Sequence, residues 1–211
     1  VSGVITANNI TGSYGVTVTA GEATENINAR MARGGRITGT VTAASTGQGA
    51  ASVCVTATRI TTPPIVFPPS FSGCTNNSGK YSIGGLADGN YEVRFTPSGG
   101  SLLGEWYDGA TSAASATPVT VLNGATISNI DASLLAGGSV SGTIRDSATG
   151  DPLPNACADV YTASNTSMAV RSACAGADGS YTVGGLPTMS AVVRFRLTPS
   201  HVPQWFDGKA A

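Results

Sequence analysis

The feature that most constrains this chain is an internal repeat, in which one half of the sequence resembles the other. The stretch "GGRITGTV" at 34–41 matches "GGSVSGTI" at 137–144, at an offset of 103 residues. Further along, "GKYSIGGLADGNYEVRF" at 79–95 matches "GSYTVGGLPTMSAVVRF" at 179–195, at an offset of 100. Self-similarity at a fixed period predicts a row of similar folding units that pack as neighbours.

The N-terminal region matches the end of the first full period. "VTVTAGEATENINARMARGG" at 16–35 aligns with "VTVLNGATISNIDASLLAGG" at 119–138. We therefore interpret 1–33 as the closing strands of a preceding repeat or as a donor-strand tail, 34–136 as a complete repeat, and 137–211 as a second repeat without closing strands. Two assemblies follow from this interpretation. Either the polypeptide continues as a longer array, or the tail completes the sandwich of a neighbouring subunit by adding a strand.

The secondary-structure pattern within one period is strand throughout. Segments such as "SVCVTATRI", "NYEVRFTP" and "TISNIDASL" alternate apolar and polar residues, are rich in Val, Ile, Thr and Tyr, and are separated by turn residues. Nothing of helical length carries an apolar stripe of period 3.6. Several short strands in a unit of about 100 residues predict an all-β fold of tandem antiparallel, Ig-like or prealbumin-like β-sandwiches.

Each repeat contains two cysteines at matching positions, Cys54 and Cys74 and then Cys157 and Cys174. Four cysteines allow three connectivities, and we favour pairing within each repeat because each unit should be able to fold alone. Such disulfides imply an oxidising compartment, and hence a secreted, extracellular or cell-surface location. The alternative, a metal site, needs closer ligand spacing and more histidine than the single His201.

Composition argues against several function classes. Only 11% of residues are charged, against roughly 25% in an average protein, and the net charge is −1 with no cluster of Lys or Arg. We therefore expect no nucleic-acid partner. No apolar run approaches the roughly 20 residues of a membrane span. With one His and 12 scattered acids, we expect no enzyme activity, no catalytic residue, no metal and no cofactor.

Four motifs carry a resemblance to a known family. The opening "GG-x-x-x-G-T-[VI]", then "TGDPLPNACADVYTA" at 149–163, "GADGSYTVGGLP" at 176–187 and "VVRF" at 192–195, resemble carboxypeptidase regulatory-like domains. That family is similar to the collagen-adhesin B-type repeats of bacterial surface proteins. The resemblance implies a transthyretin-like, or prealbumin-like, seven-stranded sandwich in a secreted bacterial surface protein. It specifies a fold well and a function poorly.

The stretches "GEWYDG" at 104–109 and "PQWFDG" at 203–208 hold the only two tryptophans of the chain. Exposed aromatic rings stack on sugar rings, with neighbouring acids bonding hydroxyls, whereas packing in the core or at an interface explains large rings equally. An Asp-Gly pair after an aromatic residue is also a common turn. The candidate ligand or interface residues here are Trp106, Tyr107, Asp108, Trp205, Phe206 and Asp207.

A proline-rich stretch, "ITTPPIVFPPSF" at 60–71, departs from the repeat. Its four prolines exclude a central strand. The apolar side chains of this stretch predict either a contact between units or chains, or simple self-packing. The residues concerned are Ile65, Val66, Phe67 and Phe71.

Two functions fit these observations. The first is a non-enzymatic structural or adhesive repeat module of an extracellular filament, stalk or cell-surface protein, whose partners are neighbouring copies of the same repeat. The second is a carbohydrate- or protein-binding accessory domain of a secreted enzyme or receptor, whose partner is a glycan or a host or cell-surface protein. The glycosylation sequons at Asn9, Asn76 and Asn165 favour neither.

Overall fold

The computed structural model of the chain describes residues 15–62, 68–197 and 201–208. The chain divides into two compact units, Val1–Arg33 and Gly34–Ala211. In the first unit, residues 15–33 contain no regular strand and are exposed to solvent. Their assignment as closing strands therefore stays a prediction.

The second unit is built from β-strands, with a single 3-10 turn at Ala113–Ser115 among its described residues. The strands of residues 34–136 are β1 (Gly35–Ala43), β2 (Val53–Arg59), β3 (Ser70–Cys74), β4 (Lys80–Leu86), β5 (Gly89–Pro97), β6 (Glu105–Trp106), β7 (Val119–Val121), β8 (Thr126–Ile127) and β9 (Ala132–Leu134). Those that follow are β10 (Gly138–Thr143), β11 (Cys157–Thr162), β12 (Arg171–Cys174), β13 (Ser180–Leu186), β14 (Ala191–Arg196) and β15 (Gln204–Trp205). The predicted all-β class is confirmed.

Strands β1 to β9 form a two-layered sandwich. One layer has the order β4-β1-β8, with β9 also pairing β1, and the other has the order β3-β2-β5-β6, with β7 pairing β5. Alternate residues of β1, β2 and β5 point inward, so Ile37, Val55 and Phe95 are completely buried between the layers. Removing this apolar surface from water is the main stabilising term of the sandwich.

The strand directions differ from the purely antiparallel prediction at one place. Strand β1 runs antiparallel to β4 but parallel to both β8 and β9. Parallel neighbours require a crossover connection rather than a tight hairpin. The chain makes this crossover after β7, which pairs with β5 in the other layer, before it returns to β1 as β8 and β9.

Strands β10 to β15 form a smaller sandwich with matching pairings. Strand β10 pairs β13 in the register that β1 has on β4, with Val140 opposite Val183 as Ile37 is opposite Ile83. The second layer has the order β12-β11-β14-β15. Among the described residues of 137–208, no strands correspond to β7, β8 and β9, so β10 has only β13 as a strand neighbour.

Each sandwich contains one disulfide, Cys54–Cys74 in the first and Cys157–Cys174 in the second, as predicted from the sequence. The partners stand directly opposite each other on β2 and β3, and on β11 and β12. The bonds close loops with sequence separations of 20 and 17 residues. Loop closure of this size stabilises a fold by about 3 kcal/mol.

Candidate functional site

The two tryptophans occupy equivalent positions on the outer faces of their sandwiches. Trp106 stands opposite Arg94 on β5, and the guanidinium lies 5.5 Å from the ring centroid. Trp205 stands opposite Arg194 on β14, at 6.0 Å. Each ring is half-buried, and a cation over an aromatic face is attracted by the ring quadrupole. The tryptophans therefore cover an arginine rather than fill the core.

The acids of these stretches lie in turns that end short strands. Asp108 and Asp207 have φ angles of 67° and 74°, and the glycine after each is also in the left-handed region. Asp and Gly adopt this conformation more readily than most residues. The carboxylate of Asp108 accepts a hydrogen bond of 3.0 Å from the Thr117 hydroxyl.

The second aromatic residue behaves differently in the two sandwiches. Tyr107 packs against the core of the first sandwich, whereas the Phe206 side chain is 72% exposed. Phe206 and Trp205 line a groove of about 300 Å³, whose other lining residues are Thr166, Ala191, Val192 and Val193. The structure thus gathers two aromatic residues, Trp205 and Phe206, at an accessible groove of the second sandwich.

This groove adjoins the edge of β14 where a strand is present in the first sandwich. There, β7 pairs β5 with Val119 opposite Tyr91, and both side chains are buried. Ala191 matches Tyr91 in the repeat and is exposed. Among the described residues, no strand pairs with β14 on this side, and the groove is accessible there.

The closing segment β7–β9 is hydrogen-bonded into the first sandwich along its whole length. Tyr81 donates its hydroxyl to the Ile130 carbonyl at 2.6 Å, and the Thr40 amide donates to the Asp131 carboxylate at 2.7 Å. Three further backbone bonds join Arg36 N to Ala125 O, Ile130 N to Thr38 O, and Ala44 N to Leu134 O. This segment is an integral part of the first sandwich.

A glycine permits the closest approach of this segment. A Cβ atom at Gly39 would collide with the carbonyl group of Ile130. Gly142 holds the same place on β10, where the nearest atoms belong to the ring of Tyr181. Tyr181 is buried, but its hydroxyl is not a buried polar atom without a partner; among the described residues, that holds for Arg194 Nε. Burial raises the pKa of that hydroxyl.

An ion-pair cluster that the sequence did not reveal lies on β11 of the second sandwich. The carboxylate of Asp159, which is 3% exposed, accepts hydrogen bonds from Arg196 Nε at 2.8 Å and from Ser172 Oγ at 2.7 Å. Arg194 lies 3.4 Å away. Burial by itself raises the pKa of Asp159, but the hydrogen bonds and the positive charges outweigh it and lower this pKa below its usual range.

The single histidine pairs with an acid rather than with other metal ligands. His201 Nε2 lies 3.0 Å from the Asp146 carboxylate. The hydrogen bond from His201 and those from two backbone amides lower the pKa of Asp146 to about 2. Within residues 15–62, 68–197 and 201–208, no three His, Cys, Asp or Glu side chains form a group that could hold a metal ion.

The proline-rich stretch is described only in part. Ile65, Val66 and Phe67 lie outside the described residues. Phe71 is half-buried and packs against the core of the first sandwich, in agreement with self-packing at this position.

Among the described residues, none of the helical structure is long enough and apolar enough to cross a bilayer.

The two sandwiches contact each other through the segment that connects them. The Leu103 amide donates to the Leu135 carbonyl at 2.8 Å, and the Gly137 amide donates to the Ser101 carbonyl at 2.6 Å. Arg171, on β12, donates to the Pro97 and Leu102 carbonyls at 3.2 and 3.5 Å. The joint is therefore tied by main-chain bonds as well as by one side chain.

No protein-family model and no curated protein matches this chain, so the resemblance to carboxypeptidase regulatory-like domains stays a resemblance. Among solved structures, the chain is similar to a streptococcal ancillary pilin, with 14% identity and a TM-score of 0.40 over 82% of this chain. It spans 58% of the length of that pilin.

Two further solved structures show similarity of the same order. A minor pilin of Streptococcus agalactiae has 12% identity and a TM-score of 0.33, covering 84% of this chain and 91% of its own. A DUF3823 family protein of Bacteroides uniformis has 14% identity and a TM-score of 0.34, covering 82% and 95%. At these scores, none of the three carries an argument about function.

Proposed function

We propose that this chain is a non-enzymatic structural or adhesive module of an extracellular filament, stalk or cell-surface protein, in which sandwiches follow one another head to tail. The joint between the sandwiches is the observation that carries the proposal. Only 135–137 separate β9 from β10, and two of these three residues are hydrogen-bonded to the preceding sandwich. A connection that is short and paired restricts bending, which suits a load-bearing or spacing role.

The chemistry of the chain supports the same proposal. Both sandwiches carry a disulfide, which persists in an oxidising, extracytoplasmic environment. Two acids of the second sandwich form ion pairs within the fold, Asp159 with arginines and Asp146 with His201.

The test is the size and shape of the native protein. We expect negative-stain images of material from its source to show fibres or stalks of regularly repeated sandwiches, and intact mass to report the number of sandwiches in each polypeptide. Isolated compact particles, with no repeated assembly on the cell surface or in the medium, would contradict the structural function.

The groove at Trp205 and Phe206 supports a second candidate, a carbohydrate-binding module. An exposed Phe206 beside a half-buried Trp205 offers apolar area for stacking on a sugar ring. A glycan array should then show binding that Phe206→Ala abolishes and that Tyr107→Ala, at the matching position, leaves unchanged. Absence of binding to any glycan removes this candidate.

A further inference from the structure

The first and last strands of the first sandwich lie side by side and run in the same direction. Strand β1 opens the sandwich at Gly35, and β9 closes it at Leu134. They pair in parallel register, with Val41 opposite Ala132 and Ala43 opposite Leu134. The chain therefore enters this pair of strands at one end and leaves it at the opposite end.

This arrangement determines how a pull along the chain acts on the sandwich. The segment before β1 draws that strand towards its N-terminus, whereas 135–137, which lead directly to β10, draw β9 towards its C-terminus. Because the strands are parallel, the two pulls slide β9 along β1 instead of peeling the strands apart from one end. All the bonds that join the two strands are then loaded at the same time.

Hydrogen bonds join β1 to the closing segment over the whole length of β1. The bonds described above begin at Arg36 and end at Ala44, and Thr42 Oγ1 adds a further bond of 3.4 Å to the Ala132 carbonyl. At a rise of about 3.3 Å per residue, these bonds cover roughly 26 Å of strand. Sliding must break them together, and bonds that break together resist a larger pull than bonds that break in succession.

Apolar side chains cover these bonds on the inner side of the sheet. Ile37 and Val41 on β1 are 0% exposed, and Ile130 and Leu134 on the closing segment are 6% and 0% exposed. Gly39 lets the closing segment approach, because a Cβ atom there would collide with the Ile130 carbonyl. Hydrogen bonds in such low-dielectric surroundings are stronger than hydrogen bonds in water, and burial limits the access of water that would otherwise replace them.

The disulfide of the first sandwich lies outside the loaded pair of strands. Cys54–Cys74 joins β2 to β3, so a pull passes from one cysteine to the other through the sulfur atoms. The residues between the two cysteines carry no load. The disulfide therefore limits how far the chain extends after β1 and β9 have separated, but it does not hold these two strands together.

We infer that the parallel pairing of β1 with β8 and β9 is a mechanical clamp, through which the first sandwich resists a pull along the chain. The inference rests on the proposed function for its biological role, because a stalk or fibre transmits force from one sandwich to the next. Forced unfolding is governed by the rate of unfolding rather than by equilibrium stability. A clamp that is loaded before the other strands therefore protects the whole sandwich.

The direction of the pull tests the clamp in the full chain. In the first arrangement, optical tweezers hold the two ends of the chain. In the second, the N-terminal handle is moved to Gln48→Cys, a single free thiol because the four native cysteines are disulfide-bonded. The Gln48 carbonyl accepts a hydrogen bond from the Ala43 amide, and Ala43 lies opposite Leu134. This pull therefore peels β9 from β1 one residue pair at a time.

We expect the unfolding force of the first sandwich to be at least about twofold lower in the second arrangement, because its hydrogen bonds break in succession. Equal forces in the two arrangements overturn the clamp.

The length released identifies the first sandwich in these records. In the first arrangement, unfolding from Gly35 to Leu134 adds at most about 28 nm, because the disulfide withholds a loop with a sequence separation of 20 residues. Reduction of Cys54–Cys74 should raise this length to about 36 nm.

Two tyrosines provide a matched pair of variants. The Tyr81 hydroxyl donates to the Ile130 carbonyl at 2.6 Å, whereas the Tyr91 hydroxyl donates to the Ala87 carbonyl at 2.8 Å, where β4 connects to β5. Both tyrosines are buried, so each Tyr→Phe change removes one hydrogen bond to a backbone carbonyl. Of these two bonds, the Tyr81 bond ends on the closing segment that the pull displaces.

At constant force, we expect Tyr81→Phe to unfold about fivefold faster than the wild type, the factor that corresponds to one typical hydrogen bond. Tyr91→Phe should change this rate by no more than about twofold, although urea unfolding should show similar equilibrium losses for the two variants. Equal acceleration in both variants would show that Tyr81 acts through general stability, and it would remove the Tyr81 bond from the clamp.

The inference and the proposed function fail in different ways. If the unfolding force does not depend on the direction of the pull while native material forms fibres or stalks, the proposed function stands and the clamp is wrong. If the force does depend on direction but native material consists of isolated particles, the clamp stands without a load-bearing role and the proposed function is wrong.

Discussion

Replacing Asp159 by the residue at its equivalent position gives a quantitative test of the second sandwich. Asp159 and Arg196 match Thr56 and Thr96 of the first sandwich, so both partners of the ion pair are absent together in the first copy. We predict that Asp159→Thr destabilises the second sandwich, because it leaves Arg196 on the sheet without its carboxylate. Arg196→Thr alone should cost less, since Ser172 and Arg194 still contact Asp159.

The magnitude follows from how far each group is buried. Removing one partner of a fully buried ion pair costs roughly 3–5 kcal/mol. The side chains of Arg196 and Arg194 are 44% and 35% exposed, so they turn to water when Asp159 is lost. We therefore expect a loss of about 2 kcal/mol for Asp159→Thr and about 1 kcal/mol for Arg196→Thr. The double variant should be more stable than the sum of these losses predicts, with a coupling energy of about 1 kcal/mol.

The assay is urea unfolding under non-reducing conditions in a Trp106→Phe background. Trp205 is then the only tryptophan, and it lies against Arg194 beside the substituted site. Its fluorescence reports the second sandwich, and the difference in unfolding free energy between variants gives the coupling. A coupling energy of zero would refute the argument that Asp159 and Arg196 stand in place of Thr56 and Thr96 as an interacting pair.

The pH dependence provides an independent check of the same group. The pKa of Asp159 is lowered in the folded chain, where hydrogen bonds and positive charges outweigh burial. The stability contributed by this group is therefore fully present above the unfolded pKa of about 3.9 and is lost as the pH falls below it. Asp159→Asn should flatten the loss of stability in this acid range. An unchanged pH profile would show that Asp159 is not the titrating group.

Three further predictions concern the disulfide, the closing segment and the joint. Replacing Cys54 and Cys74 together by Ala should lower the unfolding free energy of the first sandwich by about 3 kcal/mol, measured by urea unfolding. Tyr81→Phe should lower the unfolding free energy by about 1 kcal/mol, because the buried Ile130 carbonyl loses its donor. Tyr181→Phe should lower it by less than half of that. Equal losses in the two variants would contradict the difference between the two hydroxyls. Arg171→Ala should increase bending between the sandwiches, seen by small-angle scattering as a broader distance distribution, and an unchanged distribution would show that the backbone bonds suffice.

The strand register of the second sandwich was predictable from that of the first, because the repeat offsets identify the equivalent residues. An offset of 103 up to Cys157 and of 100 from Cys174 onward places β10 on β13 as β1 lies on β4. The cysteine positions gave the disulfide pairing for the same reason. The parallel direction of β8 and β9 was not predictable, because alternation determines which face of a strand is buried and says nothing about its neighbours.

The ion-pair cluster at Asp159 and the groove at Phe206 show a second limit of prediction from the sequence. Asp159 and Arg196 are distant in sequence and meet only across the pairing of β11 with β14. In the second repeat, both positions equivalent to Thr56 and Thr96 carry charged residues. This paired change was the sequence signal that could have revealed the ion pair. Tyr107 and Phe206 follow the same motif, yet one packs on a core and the other is exposed, because burial depends on which strands close each sandwich.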